Sequence, residues 1–357
     1  MAKERLFNLP ETKGTFQIRG KVTGHDKDNF YKKTKTKTGK AMRRTSFGVT
    51  FDEKKTTYVS MQGMTQDNVY FSKSVKNGEQ PETKKIPWAD RFTFREEGFQ
   101  LIGNNIGVIK AVNNKGELEN VKKRLTDFDA VKEIAKNLKD DDSVFIKGKL
   151  DYSSFIDDNS EKKNSIKLVP NQVSLCKSAL DFSQKDFKPM HEFSQVIVFN
   201  SIDQEKEDDK PTGRYVVTAN IVNYASVEDA EFIIENVTLA KQMRKGLAPF
   251  NAVKVWGEIV MNDQVEEVSS DDIWGEENKM DKQNAPVKRE FVITGADPST
   301  IDKNTYSEVS IAEAKMKVKK AQEAKDDFGT TGNETDTSSA WGNVPTGGDD
   351  LDEEEPW

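Results

Sequence analysis

Val144-Phe-Ile-Lys-Gly-Lys-Leu150 and Val253-Lys-Val-Trp-Gly-Glu-Ile259 share one pattern, apolar-x-apolar-x-Gly-x-apolar. Alternation at period two marks a half-buried strand, and a Gly inside it marks a bulge or sharp bend of the kind a small closed barrel needs. Read outward, each stretch is the fourth strand of a unit that occurs twice. In the first unit, Phe16, Ile18, Gly20 and Val22 share the inner face of strand one. Phe47, Val49 and Phe51 point inward from strand two over 45–51; on strand three, over 57–63, Val59 and Met61 point inward and Tyr58 outward. Residues 125–138 have helical spacing, and 165–176 supply strand five. The second unit repeats the order with strands at 193–199, 213–224 and 230–237, a helix at 239–245, and strands at 252–260 and 287–295.

The expected fold is therefore mainly β, two tandem five-stranded barrels each with a helix between strands three and four. The first domain spans 1–180, with a basic loop at 25–44 and an insertion at 64–124. The second spans 190–300, with a polar insertion at 262–286. A helix at 305–325 follows, then a disordered acidic tail at 326–357, too poor in apolar residues to fold.

Charge is unevenly placed. The chain of 357 residues has net charge -7 and mean hydropathy -0.76, yet residues 326–357 hold ten acids and no Lys or Arg. The preceding residues are thus slightly basic, near +3. Tyr31-Lys-Lys-Thr-Lys-Thr-Lys-Thr-Gly-Lys-Ala-Met-Arg-Arg44 carries seven cations and no acid. A basic stretch and an acidic one in the same chain suggest a polyanion-binding surface with a tail able to compete for it.

Catalytic chemistry finds little purchase. Thr38-Gly-Lys40 fails as a phosphate loop, because Thr34 stands where the first Gly belongs and Ala41 replaces the metal-binding hydroxyl. Two histidines and the single Cys176, read as a small strand residue, offer no disulfide, zinc set or nucleophilic triad. Asp140-Asp-Asp142 reads as a solvated turn; Asp271-Asp272 is the other acidic cluster. No catalytic residue, metal or cofactor is expected. With no long apolar run and no secretory signal, a cytoplasmic location is expected.

The strand-strand-strand-helix-strand-strand order resembles the OB-fold. The last residues, Gly347-Gly-Asp-Asp-Leu-Asp-Glu-Glu-Glu-Pro-Trp357, resemble the endings of bacterial and phage single-stranded DNA-binding proteins, with Trp where the bacterial family normally has Phe. Two units per chain depart from the one-unit bacterial form, and a phage replication protein is the nearest likeness. The resemblance implies sequence-independent binding of single-stranded DNA in replication, recombination or repair, as a monomer or homodimer. It also implies recruitment of a polymerase, helicase or primase by Asp349, Asp350, Asp352, Glu353, Glu354, Glu355, Pro356 and Trp357. The expected DNA contacts are Arg19, Lys21, Lys32, Lys33, Lys35, Lys37, Lys40, Arg43, Arg44, Tyr58, Phe145, Lys147 and Lys149 in the first unit. Lys254 and Trp256 are their counterparts in the second, whose first loop, 203–209, is acidic and repels phosphate. In the insertion, Lys84-Lys-Ile-Pro-Trp88 and Arg91-Phe-Thr-Phe-Arg95 interleave cations with aromatics, and Trp88 joins the candidates. A replisome or virion adaptor whose barrels bind only proteins is the alternative.

Overall fold

The computed structural model describes residues 5–36, 38–73, 81–156, 162–207, 209–263 and 287–329. Residues 330–357 with the Asp349–Trp357 end, Lys37, Asp271-Asp272 and nearly all of the polar insertion lie outside them, whereas 326–329, expected as the start of the disordered tail, continue the last helix.

The chain is mainly β with a C-terminal helix. In order come β1 (Gly14–Thr23), β2 (Tyr31–Lys35), β3 (Ala41–Asp52), β4 (Lys55–Met64), β5 (Asn68–Lys73), β6 (Glu82–Pro87), a 3-10 turn (Trp88–Phe92), β7 (Phe99–Leu101), β8 (Asn104–Gly107), β9 (Lys110–Val112), β10 (Leu118–Asn120) and β11 (Lys123–Leu125). Then follow α1 (Asp127–Asn137), β12 (Ser143–Ile156), β13 (Lys162–Leu175), β14 (Met190–Glu207), β15 (Lys210–Val222), β16 (Val227–Ile234), α2 (Val237–Gly246), β17 (Ala252–Asp263), β18 (Val287–Asp302) and α3 (Glu308–Gly329).

Strand pairing in the first half returns to its start. β1 pairs β3, β3 pairs β4, β4 runs parallel to β13, β13 pairs β12, and β12 pairs β1. The second half repeats the path through β14, β15, β16, β18 and β17. α1 and α2 each precede the fourth strand of their path and are capped by Thr126 and Asn236, whose side chains accept from backbone N–H groups of the first turn. The inward residues of alternating strands form the core: Phe16, Ile18, Phe47, Val49, Phe51, Val59 and Met61 are all buried. Each such side chain contributes about 1.5–3 kcal/mol through its removal from water.

The two glycines that open the sequence reading sit at matching irregularities. The β12–β13 register shifts between Lys147 and Gly148, and the β17–β18 register between Trp256 and Gly257. A side chain at Gly257 would meet the Val292 carbonyl oxygen at 1.8 Å, and one at Gly148 the Val169 carbonyl oxygen at 2.1 Å. Backbone crowds the bulge, so only Gly fits.

Several elements differ from the sequence expectations. The basic loop is a hairpin: β2 pairs β3 from Tyr31↔Thr45 to Lys35↔Ala41, because Lys and Thr can fill both faces of a solvated ribbon without an apolar stripe. Strand two accordingly begins at Ala41. The acidic loop of the second unit shrinks to a tight turn, since β14 continues to Glu207 and β15 starts at Lys210. The insertion is only partly separate. β5, β6 and β7 form a small sheet over their own apolar cluster, whereas β8 and β11 extend the main sheet beyond β13.

The units also share a sheet. β1 pairs β14 antiparallel from Gly14↔Gln195 to Arg19↔Met190, with Phe16 opposite Phe193. Ahead of β1, Phe7 and Leu9 pack with Val198, Val222, Tyr306, Ile311 and Ala314, so the first described residues lie against the second unit and α3.

Candidate nucleic-acid interface

The ladder sets which side chains share a surface. Lys32, Arg44 and Gln62 lie in one row across β2, β3 and β4, with Tyr58, 52% exposed, on the same outer face of β4. Lys32, Lys33 and Lys35 are exposed. Lys33, Lys35 and Arg43 occupy the opposite face of the hairpin, where the Arg43 guanidinium lies 3.8 Å from the Phe128 ring centroid on α1. Burial lowers the Arg44 pKa from its ordinary value and raises that of Tyr31, against the opposing influence of Arg43. Thr38-Gly39-Lys40 forms the hairpin tip: Gly39 N–H donates to the Thr36 carbonyl at 2.8 Å, and the Lys40 ammonium reaches Asp67 at 3.2 Å. This turn is therefore not a phosphate cradle.

A second group assembles across the unit boundary. Lys149, Thr15, Ser194, Trp256 and Gly295 form one row on β12, β1, β14, β17 and β18. Lys147, Gln17, Glu192 and Glu258 form the next, where Gln17 Nε2 donates to Glu192 at 2.5 Å. Lys147, Lys149 and Lys254 are exposed, and Trp256 is 42% exposed with its indole against Gly295. Any Cβ at Gly295 would come within 2.6 Å of that ring, so the Gly lets the indole lie flat on the sheet.

Between these groups Arg19 and Lys21 lie under a neighbouring segment. The segment linking β13 to β14 crosses them. Arg19 Nη2 donates to the Lys188 carbonyl at 2.9 Å and its guanidinium sits 5.8 Å from the Phe187 ring. Lys21 Nζ sits 5.1 Å from Phe182, and the two rings meet edge to face at 5.2 Å. Aromatic faces attract cations electrostatically, which fixes the linker over this part of β1. Phe145, beside Arg19 in the ladder, is half-buried and not an open platform.

Trp88 belongs to neither group. It is half-buried against the insertion cluster, 6.0 Å edge-on to Phe128, with Arg91 4.3 Å from its ring. Asp129 holds that guanidinium through two hydrogen bonds of 2.8 and 3.2 Å. Among the described residues the insertion exposes the rings of Tyr70, 46% accessible, and Phe92, 49% accessible beside a cleft of about 880 Å3 lined also by Arg95, Lys122 and Arg124. The Arg91–Arg95 stretch signals this cleft in sequence; Lys122 and Arg124 carry no such signal.

Asp140, Asp141 and Asp142 form a turn, with Asp140 accepting from His25 N–H at 2.9 Å and Asp142 from Lys139 N–H at 2.8 Å. Among the described residues, no group of three His, Cys, Asp or Glu is placed to hold a metal, and no helix is long and apolar enough to cross a membrane. Cys176 follows β13 half-buried, and burial raises its pKa against the influence of Arg19 and Lys110.

What the fold and site define is a mainly β chain with a cationic hairpin and exposed aromatics on its outer strands. A family model described as YorF matches residues 75–331, and the chain belongs to that family. No curated protein matches it. Among solved structures, the wild-type single-stranded DNA binding protein from Thermus aquaticus is similar at 11% identity and TM-score 0.37, over 81% of this chain and 93% of that one. A deletion mutant of the same Thermus aquaticus protein is similar at 10% identity and TM-score 0.37, over 80% and 94%. Likeness this remote carries neither a fold nor a function.

Proposed function

We propose that the chain binds single-stranded DNA without sequence preference, through two tandem OB-fold barrels of which the first makes the principal grip. The observation that supports this is the row Lys32–Arg44–Gln62 with Tyr58 on the same face, next to a hairpin carrying further cations. Cations track phosphates, and an exposed ring stacks on any base, so this combination favours an unpaired strand of arbitrary sequence. The site needs no metal and no catalytic group, and the protein acts as a binder rather than an enzyme.

A role in phage replication, recombination or repair extends this reading, as does recruitment of replication proteins by Asp349–Trp357; both rest on the sequence of that segment alone. Titration with oligo-dT at several salt concentrations tests the core of it. Log affinity should fall linearly with log salt, with a slope of about -0.7 for each phosphate neutralised. Labelled strands should survive incubation with magnesium, and duplex DNA should compete poorly. Absence of saturable oligo-dT binding would favour an adaptor that contacts only proteins.

A further inference from the structure

The two strand paths correspond in ladder register on either side of their matching glycines. Val22 pairs Val49 while Phe199 pairs Ala219, and the inward residues Phe47, Val49 and Phe51 answer to Val217, Ala219 and Ile221. Arg214 on β15 is therefore the counterpart of Arg44 on β3. Inward Val59 and Met61 answer to Phe232 and Ile234, which places Glu231 at the position of Tyr58 and Glu235 at that of Gln62. The matching bulges pair Gly148 with Pro170 and Gly257 with Ile293, so Glu290 stands where Lys167 stands.

The ladder neighbours of the two arginines differ in charge. Arg44 lies in its ladder between Lys32 and Gln62. Arg214 contacts Glu205 at 3.6 Å and Glu235 at 3.9 Å, and pairs closely with Glu290, itself only 6% exposed on its side chain and reached also by Lys288 at 3.6 Å, which leaves three carboxylates facing two cations. One guanidinium is thus shared by three carboxylates, and the exposed ring has become a fourth acid.

Given single-stranded DNA binding as proposed above, we infer that Glu205, Glu235 and Glu290 silence the β15–β16 face of the second barrel, so that of the two corresponding faces only that of the first contacts phosphate. An incoming phosphate at Arg214 would meet a guanidinium already engaged and an excess of negative charge around it. The acids decide specificity by occupying the cation a phosphate would need.

Oligo-dT titration of the full chain across a salt series tests this with four proteins. Wild type and Arg214→Ala should bind alike, within about twofold and with equal salt slopes, since no phosphate reaches that cation. The double variant Glu205→Gln/Glu235→Gln keeps the largely buried Glu290 in place and should bind more tightly at low salt. Its slope should steepen by about 0.7, the increment of one added phosphate contact. Glu308→Gln/Glu313→Gln, removing two exposed charges from α3, controls for net charge and should leave the slope unchanged. Exposed Glu235→Gln alone is the fallback should the double variant melt early. A weaker or shallower Arg214→Ala, an unchanged double variant, or an equal steepening by the α3 control overturns the inference. Failure of wild type to bind oligo-dT would instead fell the single-stranded DNA reading itself.

Discussion

Tyr58 is the residue on which base stacking would turn. It stands opposite Gly48 in the ladder, so no neighbouring side chain on β3 shields its ring. Replacing it with Ala should weaken oligo-dT binding by about 1–3 kcal/mol, the worth of one base–aromatic stack, while the salt slope stays the same. A parallel loss of thermal stability would mark the ring as a packing residue instead. Period-two alternation revealed Tyr58 because the inward neighbours Val59 and Met61 fix the phase of the strand. Trp256 was legible by the same phase. Trp88 was not, because nothing local says that a 3-10 turn will press its indole onto Phe128, a residue forty positions away on α1.

Among elements, the hairpin β2–β3 and the linker before β14 are the pieces that sequence periodicity described least well. The hairpin lacks any apolar alternation in its β2 arm; only a ladder continued past the buried part of β3 makes it a strand. The linker holds its place through Phe182 and Phe187 over Lys21 and Arg19, contacts joining positions more than 160 residues apart. Converting both rings to Ala should cost about 1–2 kcal/mol in chemical denaturation, two exposed cation–π contacts' worth. Limited proteolysis should then cut faster within residues 177–189. Unchanged cleavage would mean that hydrogen bonds hold the linker without the rings, such as Cys176 N–H to the Ser143 carbonyl at 2.7 Å and Arg19 Nη2 to the Lys188 carbonyl at 2.9 Å. The short matching stretches around Gly148 and Gly257 were legible because a bulge demands the same residue in both units.

For the whole molecule, the joint between halves depends on charge as well as on the β1–β14 ladder. Asp229 on β16 accepts from Lys315 of α3 at 2.6 Å and from Lys162 of β13 at 3.3 Å. Burial pushes its carboxyl up, but Lys315 and Lys162 together hold it below its ordinary value of 3.8. A depressed carboxylate stabilises the fold fully above its unfolded value, and the contribution fades as pH falls through the folded one. Asp229→Asn should therefore lower stability at neutral pH by about 0.5–1 kcal/mol, given that the group is half-exposed. The difference from wild type should vanish in acid, as thermal melts at pH 7 and below pH 3 would register. A gap that persists unchanged in acid would show that shape, not charge, carries the effect. No periodicity foretold this joint, since it links three elements distant in sequence through single side chains.

The tie between Tyr306 and the Pro10 carbonyl, at 2.9 Å across 296 positions, together with Phe7 and Leu9 in the same cluster, has a temporal side. During synthesis these early residues leave the ribosome long before α3 exists to receive them. The satellite core they share is completed only by α3, so a chain stalled before residue 306 would leave Phe7 and Leu9 half covered, against Val198 and Val222 without the helix.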